Sequence, residues 1–241
     1  MEQSATVLVL GAYGLAGRAI VTRLLDKTPF YVIAAGRDRA RLQSLFGTFS
    51  PEGEGNRGTA ILVSDRPEGP FVPHSQVPVT PPDWMALDGT LFIDEEEHPW
   101  MVFCHEWVQI VDGAICAIRL SEDLSRAEGS PVTLFHASEA PWIKDAVFGD
   151  NKGLITDGPW LHRNKDGSLL MLWSSFGGNR QYTTGSARSA SGKITGPWVV
   201  SPAILYGQDG GHAMLFKTLG GATGAVSPPA ERQTQGAGPL F

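Results

Sequence analysis

Apolar positions change rhythm twice along the chain. Between about residues 5 and 47, short apolar runs alternate with helically spaced ones. Val7-Leu8-Val9-Leu10 is unbroken and ends at glycine, as a buried parallel strand does. Apolar residues then recur at helical spacing from Ala16 to Leu25. Phe30 to Ala35 is a second β-run, and Asp38 to Phe46 is helix-like again. The spacing predicts a β-α-β unit over residues 1–47. Residues 48–58 are turn formers by composition and read as a linker. From residue 59 to 219 short β-runs are separated by turn residues, with no long amphipathic helix, which predicts an all-β region. Residues 220–241, rich in Gly, Ala, Pro and Gln, read as a loose tail.

Repetition narrows the all-β choice. Asp88-Gly89-Thr90-Leu91-Phe92, Asp157-Gly158-Pro159-Trp160-Leu161 and His212-Ala213-Met214-Leu215-Phe216 share one pattern, a polar residue four positions before an apolar anchor. A turn follows the first two, at Asp94 to Glu97 and at Asn164 to Gly167, and then a strongly apolar strand, Trp100 to Cys104 or Leu169 to Trp173. A second phrase recurs at Ser64 to Phe71, Ser121 to Gly129 and Ser189 to Trp198. It reads as the turn between a third and an outermost strand. Four strands per unit is the make-up of a propeller blade. The chain is expected to hold the outer end of one blade, two complete blades and the start of another.

Innermost strands of a propeller line its central channel, so Asp88, Asp157 and His212 are expected at equivalent points near the axis. Two carboxyls facing one cavity suit glycoside hydrolysis, where one protonates the leaving oxygen and another tunes its neighbour or activates water. Taken singly, each Asp-Gly pair reads equally well as a turn.

The phrases Leu87 to Asp94, Trp100 to Trp107, Ile155 to Leu161, Met171 to Ser175 and Gly210 to Phe216 resemble glycoside hydrolase family 43 over about residues 59–219. The resemblance implies a mainly β, five-bladed-type propeller, here incomplete. It also implies inverting acid/base action on arabinose- and xylose-containing oligo- or polysaccharides. Asp157 falls where the family has its general-acid glutamate, one methylene shorter, and Asp88 matches the pKa-modulating aspartate. His212 matches the channel histidine associated with a calcium ion. His105, Glu106 and Trp107, which follow an apolar strand, and Ser175 are the implied sugar contacts; a satisfied polar cluster at a strand end is the other reading of the first three. The family's general base is an aspartate of the first blade, and no Asp before Thr59 has that context. A positioned base is worth about 10²–10⁴-fold, so an impaired enzyme is expected. An unclosed propeller would also leave strand edges open.

Gly11-Ala12-Tyr13-Gly14-Leu15-Ala16-Gly17 lies between the first predicted strand and helix. Such glycines let backbone approach a pyrophosphate, and the helix N-terminus supplies N–H donors. Arg37 follows the second strand, where a 2′-phosphate would be met, which favours NADP. The stretch resembles the opening of saccharopine-dehydrogenase-like proteins. An NADP-dependent oxidoreductase is thus one alternative; a Rossmann-like remnant, within an inactive fused or truncated product, is another.

Composition adds limits. The chain has 241 residues, 42% hydrophobic and 18% charged, which suits a packed core. A net charge of -6 argues against nucleic acid or an anionic membrane as partner. Cys104 and Cys116 read as buried thiols without a metal spacing. Seven Trp residues are core or sugar platforms, with core favoured for most. Met1-Glu2-Gln3-Ser4 has no basic n-region and no stretch is long enough to span a bilayer, so a cytoplasmic location is expected.

Overall fold

The computed structural model describes residues 6–10, 31–35, 58–65, 71–75, 77–148, 151–178, 180–217 and 223–226. Strand β1 (Thr6–Leu10) pairs in parallel with β2 (Tyr31–Ala35). Gly11, Gly14, Gly17 and Arg37, with residues 48–57 of the expected linker 48–58, lie outside the described residues. Strands β3 (Leu62–Val63) and β4 (Val72–Pro73) form an antiparallel pair around the first of the recurring turn phrases.

Two four-stranded antiparallel sheets follow. The first is β5 (Ala86–Ile93), β6 (Pro99–His105), β7 (Ala114–Leu120) and β8 (Ala127–His136) in chain order. A four-residue helix α1 (Trp107–Ile110) interrupts it, and the hairpin β9 (Ala146–Phe148) and β10 (Asn151–Gly153) leads onward. The second is β11 (Asp157–Arg163), β12 (Leu169–Phe176), β13 (Tyr182–Ser189) and β14 (Trp198–Val200). Each sheet is a meander of the kind expected for a blade, with the predicted turns between its strands. Strand β15 (Met214–Lys217) begins a further unit.

Within the stretch read as a loose tail, the described residues are 223–226. Thr223–Val226 is a strand, β16, paired antiparallel with β15 from Met214↔Val226 to Lys217↔Thr223. Composition alone hid it, because a strand that borrows its register from a preceding partner needs little apolar content of its own.

Both faces of the first sheet are buried. Val102, Cys104, Ile115 and Ala117 join Leu169, Met171 and Trp173 of the second sheet in one core. Met101, Phe103, Cys116 and Ile118 pack on the other side with Ile61 and Val79. This explains why β6 reads as an unbroken apolar run instead of alternating. It also places Cys104 and Cys116 on opposite faces, so both are free, buried thiols. None of the seven Trp residues is exposed, and Trp107, Trp142, Trp173 and Trp198 are buried.

Carboxylates lock the hairpin turns. Asp94 accepts from the N–H groups of Glu96 (3.0 Å) and His98 (2.8 Å) and from the Trp100 indole (2.8 Å). Burial works to raise its pKa, but these donors and nearby His98 hold it below the ordinary value. In the second sheet Asp166 accepts from the Ser168 hydroxyl (2.6 Å) and from Arg188 (2.6 Å).

Trp173 joins the two sheets. It is fully buried, with ring centroids 5.2 Å from Phe135 of β8 and 5.4 Å from Trp142. Trp173→Ala should cost about 3–5 kcal/mol of stability. Urea unfolding of both proteins checks this; a loss below about 1 kcal/mol would mean the sheets are not joined through this ring.

Candidate active site

The inner strands of the two sheets carry the same irregularity. Regular pairing breaks between Leu87 and Thr90 in β5 and between Asp157 and Trp160 in β11. Such bulges re-aim side chains where a strand meets a site. At the bulges Asp88 and Gly158 have left-handed backbone, with φ of 57° and 53°, and His212 before β15 has φ of 51°.

This changes the expected equivalence. The structure aligns Asp88 with Gly158 and His212, each two residues before the first pairing that follows (Thr90, Trp160, Met214). Asp157 stands one residue earlier than the repeat pattern placed it. The cause is a count: six positions separate Asp88 from the turn residue Asp94, and seven separate Asp157 from Asn164. Turns fix hairpin register, so the extra residue is pushed toward the start of β11.

Asp88 and His212 nevertheless meet, and Asp157 is linked to them through its neighbour Gly158 and its register partner Ser174. Gly158 N–H donates to Asp88 Oδ2 at 3.1 Å, tying neighbouring inner strands together. His212 Nδ1 lies 3.8 Å from the same oxygen, and the Asp88 side chain is only 7% exposed. The His212 backbone N–H donates to Ser174 Oγ at 2.7 Å, and Ser174 is itself the register partner of Asp157. Asp157 Oδ2 accepts from the Tyr182 hydroxyl at 3.0 Å. The Cys104 thiol of β6 is fully buried. Burial first, then the charges of Asp88, Asp157 and Glu106, push its pKa well above the ordinary value.

The expected sugar contacts are largely enclosed. The His105 ring stacks on Trp84 at 3.9 Å and donates from Nε2 to Gln109 Oε1 at 2.9 Å, with 8% of the residue exposed. Gln109 also accepts from Met85 N–H (2.7 Å) and donates to the Asp83 carbonyl (2.8 Å). His105 thus has a hydrogen-bond partner at the strand end. Trp107 packs against Ala146 and Ile155, and Ser175 is fully buried. Glu106 caps the start of α1 in extended conformation. Tyr182 and Ser174 received no role from sequence, because their contacts with Asp157 and His212 span 25 and 38 residues.

Calcium takes about six to eight oxygen ligands. The side chains just described offer one carboxylate beside His212, that of Asp88, already engaged by Gly158 and the imidazole. They do not by themselves form a calcium cage. Among the described residues, the group with three converging ligand atoms is Asp94, Glu96 and His98, at the far end of β5.

The sequence profile of glycosyl hydrolases family 43 matches residues 30–226. The chain belongs to this family. The match begins inside the segment read as nucleotide-binding and ends at the last residue of β16. The crystal structure of an endo-arabinase from Bacteroides thetaiotaomicron VPI-5482 is 49% identical, with a TM-score of 0.73, over 78% of this chain and 66% of that one. A thermostable family-43 glycoside hydrolase is 18% identical, with a TM-score of 0.56, over 72% of this chain and 57% of that one. An endo-1,4-beta-xylanase from the same Bacteroides strain is 20% identical, with a TM-score of 0.55, over 71% and 57%. The last two likenesses concern the fold alone. This family-43 chain thus spans just under two thirds of the first of these structures and 57% of the others. No protein among curated sequences matches it. Among the described residues, no helix is long and apolar enough to cross a membrane.

A Cβ on Gly158 would lie 2.7 Å from His212 Cγ, on backbone that already disfavours a side chain. Gly158→Ala should therefore destabilise the protein by about 1–3 kcal/mol and displace the His212 ring, seen as a moved imidazole resonance. An unmoved resonance would refute the packing. Burial, opposed by the Gln109 hydrogen bond, lowers the His105 pKa from its ordinary 6.5. Its neutral form favours folding, so that contribution is complete above about pH 6.5 and is lost as pH falls through the lowered folded value. Melting temperatures at pH 7.5 and 5 should converge more closely in His105→Gln than in wild type; an equal acid loss in both would contradict this.

Proposed function

We propose that this family-43 chain carries the acid side of an inverting glycoside hydrolase acting on arabinose- or xylose-containing glycans. The observation that carries the reading is the meeting of Asp88 with His212 and with the backbone of Gly158, the residue next to Asp157. Asp157 is the general acid: protonated, it donates to the glycosidic oxygen as the bond to the anomeric carbon breaks. Asp88, held almost out of solvent by Gly158 N–H and His212, is a fixed negative charge nearby. Such a charge favours the protonated form of its neighbour, as acid catalysis requires. His212 orients Asp88 through their shared contact. The attacking water enters from the opposite side of the ring and is activated by a base, which in the family is an aspartate of the first blade.

The substrate class is supported by the endo-arabinase at 49% identity, and arabinan is the first choice. Inversion gives a product of opposite anomeric configuration, which NMR of the fresh product reads directly. Arabinan or xylan should release reducing sugar with the wild type, and Asp157→Ala should lower the rate by about 10²–10⁴-fold. An inactive wild type on both polymers, or an active Asp157→Ala, would overturn the proposal.

A further inference from the structure

The repeat pattern gives no role to Tyr182, the first residue of β13, yet its hydroxyl reaches the carboxyl at the centre of the proposed chemistry. We propose that Tyr182 is a positioning residue that keeps the transferable proton of Asp157 on Oδ1. The inference rests on the acid role of Asp157 proposed above.

The argument starts from hydrogen-bond chemistry. A protonated carboxyl has one carbonyl oxygen, which accepts, and one hydroxyl, which donates. Tyr182 Oη donates to Asp157 Oδ2 at 3.0 Å. Oδ2 is thereby held as the accepting oxygen, and the proton resides on Oδ1. Aspartate reaches one methylene less far than the glutamate usual in the family, so the direction of its O–H matters more. A carboxyl free to exchange its two oxygens would present the proton correctly only part of the time.

Tyr182 is built to hold this direction. It is 8% exposed, and its ring lies 5.4 Å from that of Phe176. On its other side is Gly211, where a Cβ would overlap the ring. Its backbone N–H donates to Asp209 Oδ1 at 3.3 Å. Asp209, Gly211 and His212 belong to one short segment, which therefore fixes Tyr182 at backbone and ring while placing the imidazole beside Asp88. The ionisable group in contact with Asp157 is Tyr182. Asp88 and Glu106 act together with Asp157 on the buried Cys104 thiol of β6, while Asp209 meets the Tyr182 backbone and His212 meets Asp88.

A donor to the carboxylate stabilises its charged form, so removing the donor raises the pKa of Asp157. In full-length protein carrying carboxyl-13C aspartate, Asp157→Asn identifies the Asp157 resonance. Tyr182→Phe, which keeps the ring packing, should raise that resonance's titration midpoint by about one pH unit or more. Its melting temperature should stay within a few degrees of wild type. The alkaline limb of kcat/KM should move to higher pH by a similar amount. Hydrolysis of arabinan should fall at least about tenfold more than hydrolysis of an aryl arabinoside, whose leaving group needs little proton delivery. A merely structural role would lower both substrates equally and leave the midpoint in place, and either result would overturn the inference. With Asp157→Ala still inactive on arabinan, that failure would leave the acid role standing. An active Asp157→Ala would instead remove the acid role and this inference together.

Discussion

A sheet that is apolar on both faces cannot stand alone in water, and this constraint organises the protein. β6 sends Val102 and Cys104 to one side and Met101 and Phe103 to the other, all of them buried. Each face needs a neighbouring sheet or strand pair to cover it. Leu169, Met171 and Trp173 of β12 cover one, and Ile61 and Val79 help to cover the other. Sheets stacked in this way bring their first strands side by side. The contact between Gly158 N–H and Asp88 Oδ2 follows from that stacking, since the two residues are 70 positions apart in sequence.

The bulges then decide what the adjoining strands present. Without them, β5 and β11 would continue their alternation into the site and send every second residue to a covered face. A break at one place in each strand releases Asp88 and Gly158 from the ladder. Their left-handed backbone turns one carboxylate and one bare amide toward each other. The chemistry therefore sits where regular pairing stops, and the regular part of each strand serves as its mount.

Much of this architecture was legible from local signals. Turn residues such as Asp94 and Asp166 close their own hairpins, so they mark strand ends without knowledge of the fold. The strongly apolar strands at β6 and β12 were legible as such, and the structure buries β6 on both faces. The exact alignment of the two inner strands was not legible from the apolar anchors, because Phe92 and Leu161 look alike while only the turns fix the register. Counting back from Asp94 and Asn164 would have exposed the extra residue. Tyr182, Ser174 and the stack of Trp84 on His105 were hidden for a different reason. They are contacts between elements far apart in sequence, and no local pattern encodes them. β16 was hidden because its four residues, small and glycine-containing, take their register from β15.

The left-handed backbone at Asp88 and His212 has a consequence for how this site can be dissected. At those two positions an alanine is not a neutral deletion, because it forfeits the side chain and strains the main chain together. Any loss measured would mix two causes that the experiment cannot separate. Asparagine tolerates this conformation and matches aspartate in shape, so it removes charge at Asp88 while leaving the backbone content. Asp157, whose backbone is not left-handed, accepts either replacement. The local geometry of the main chain thus sets which substitutions carry chemical information at each residue of the cluster.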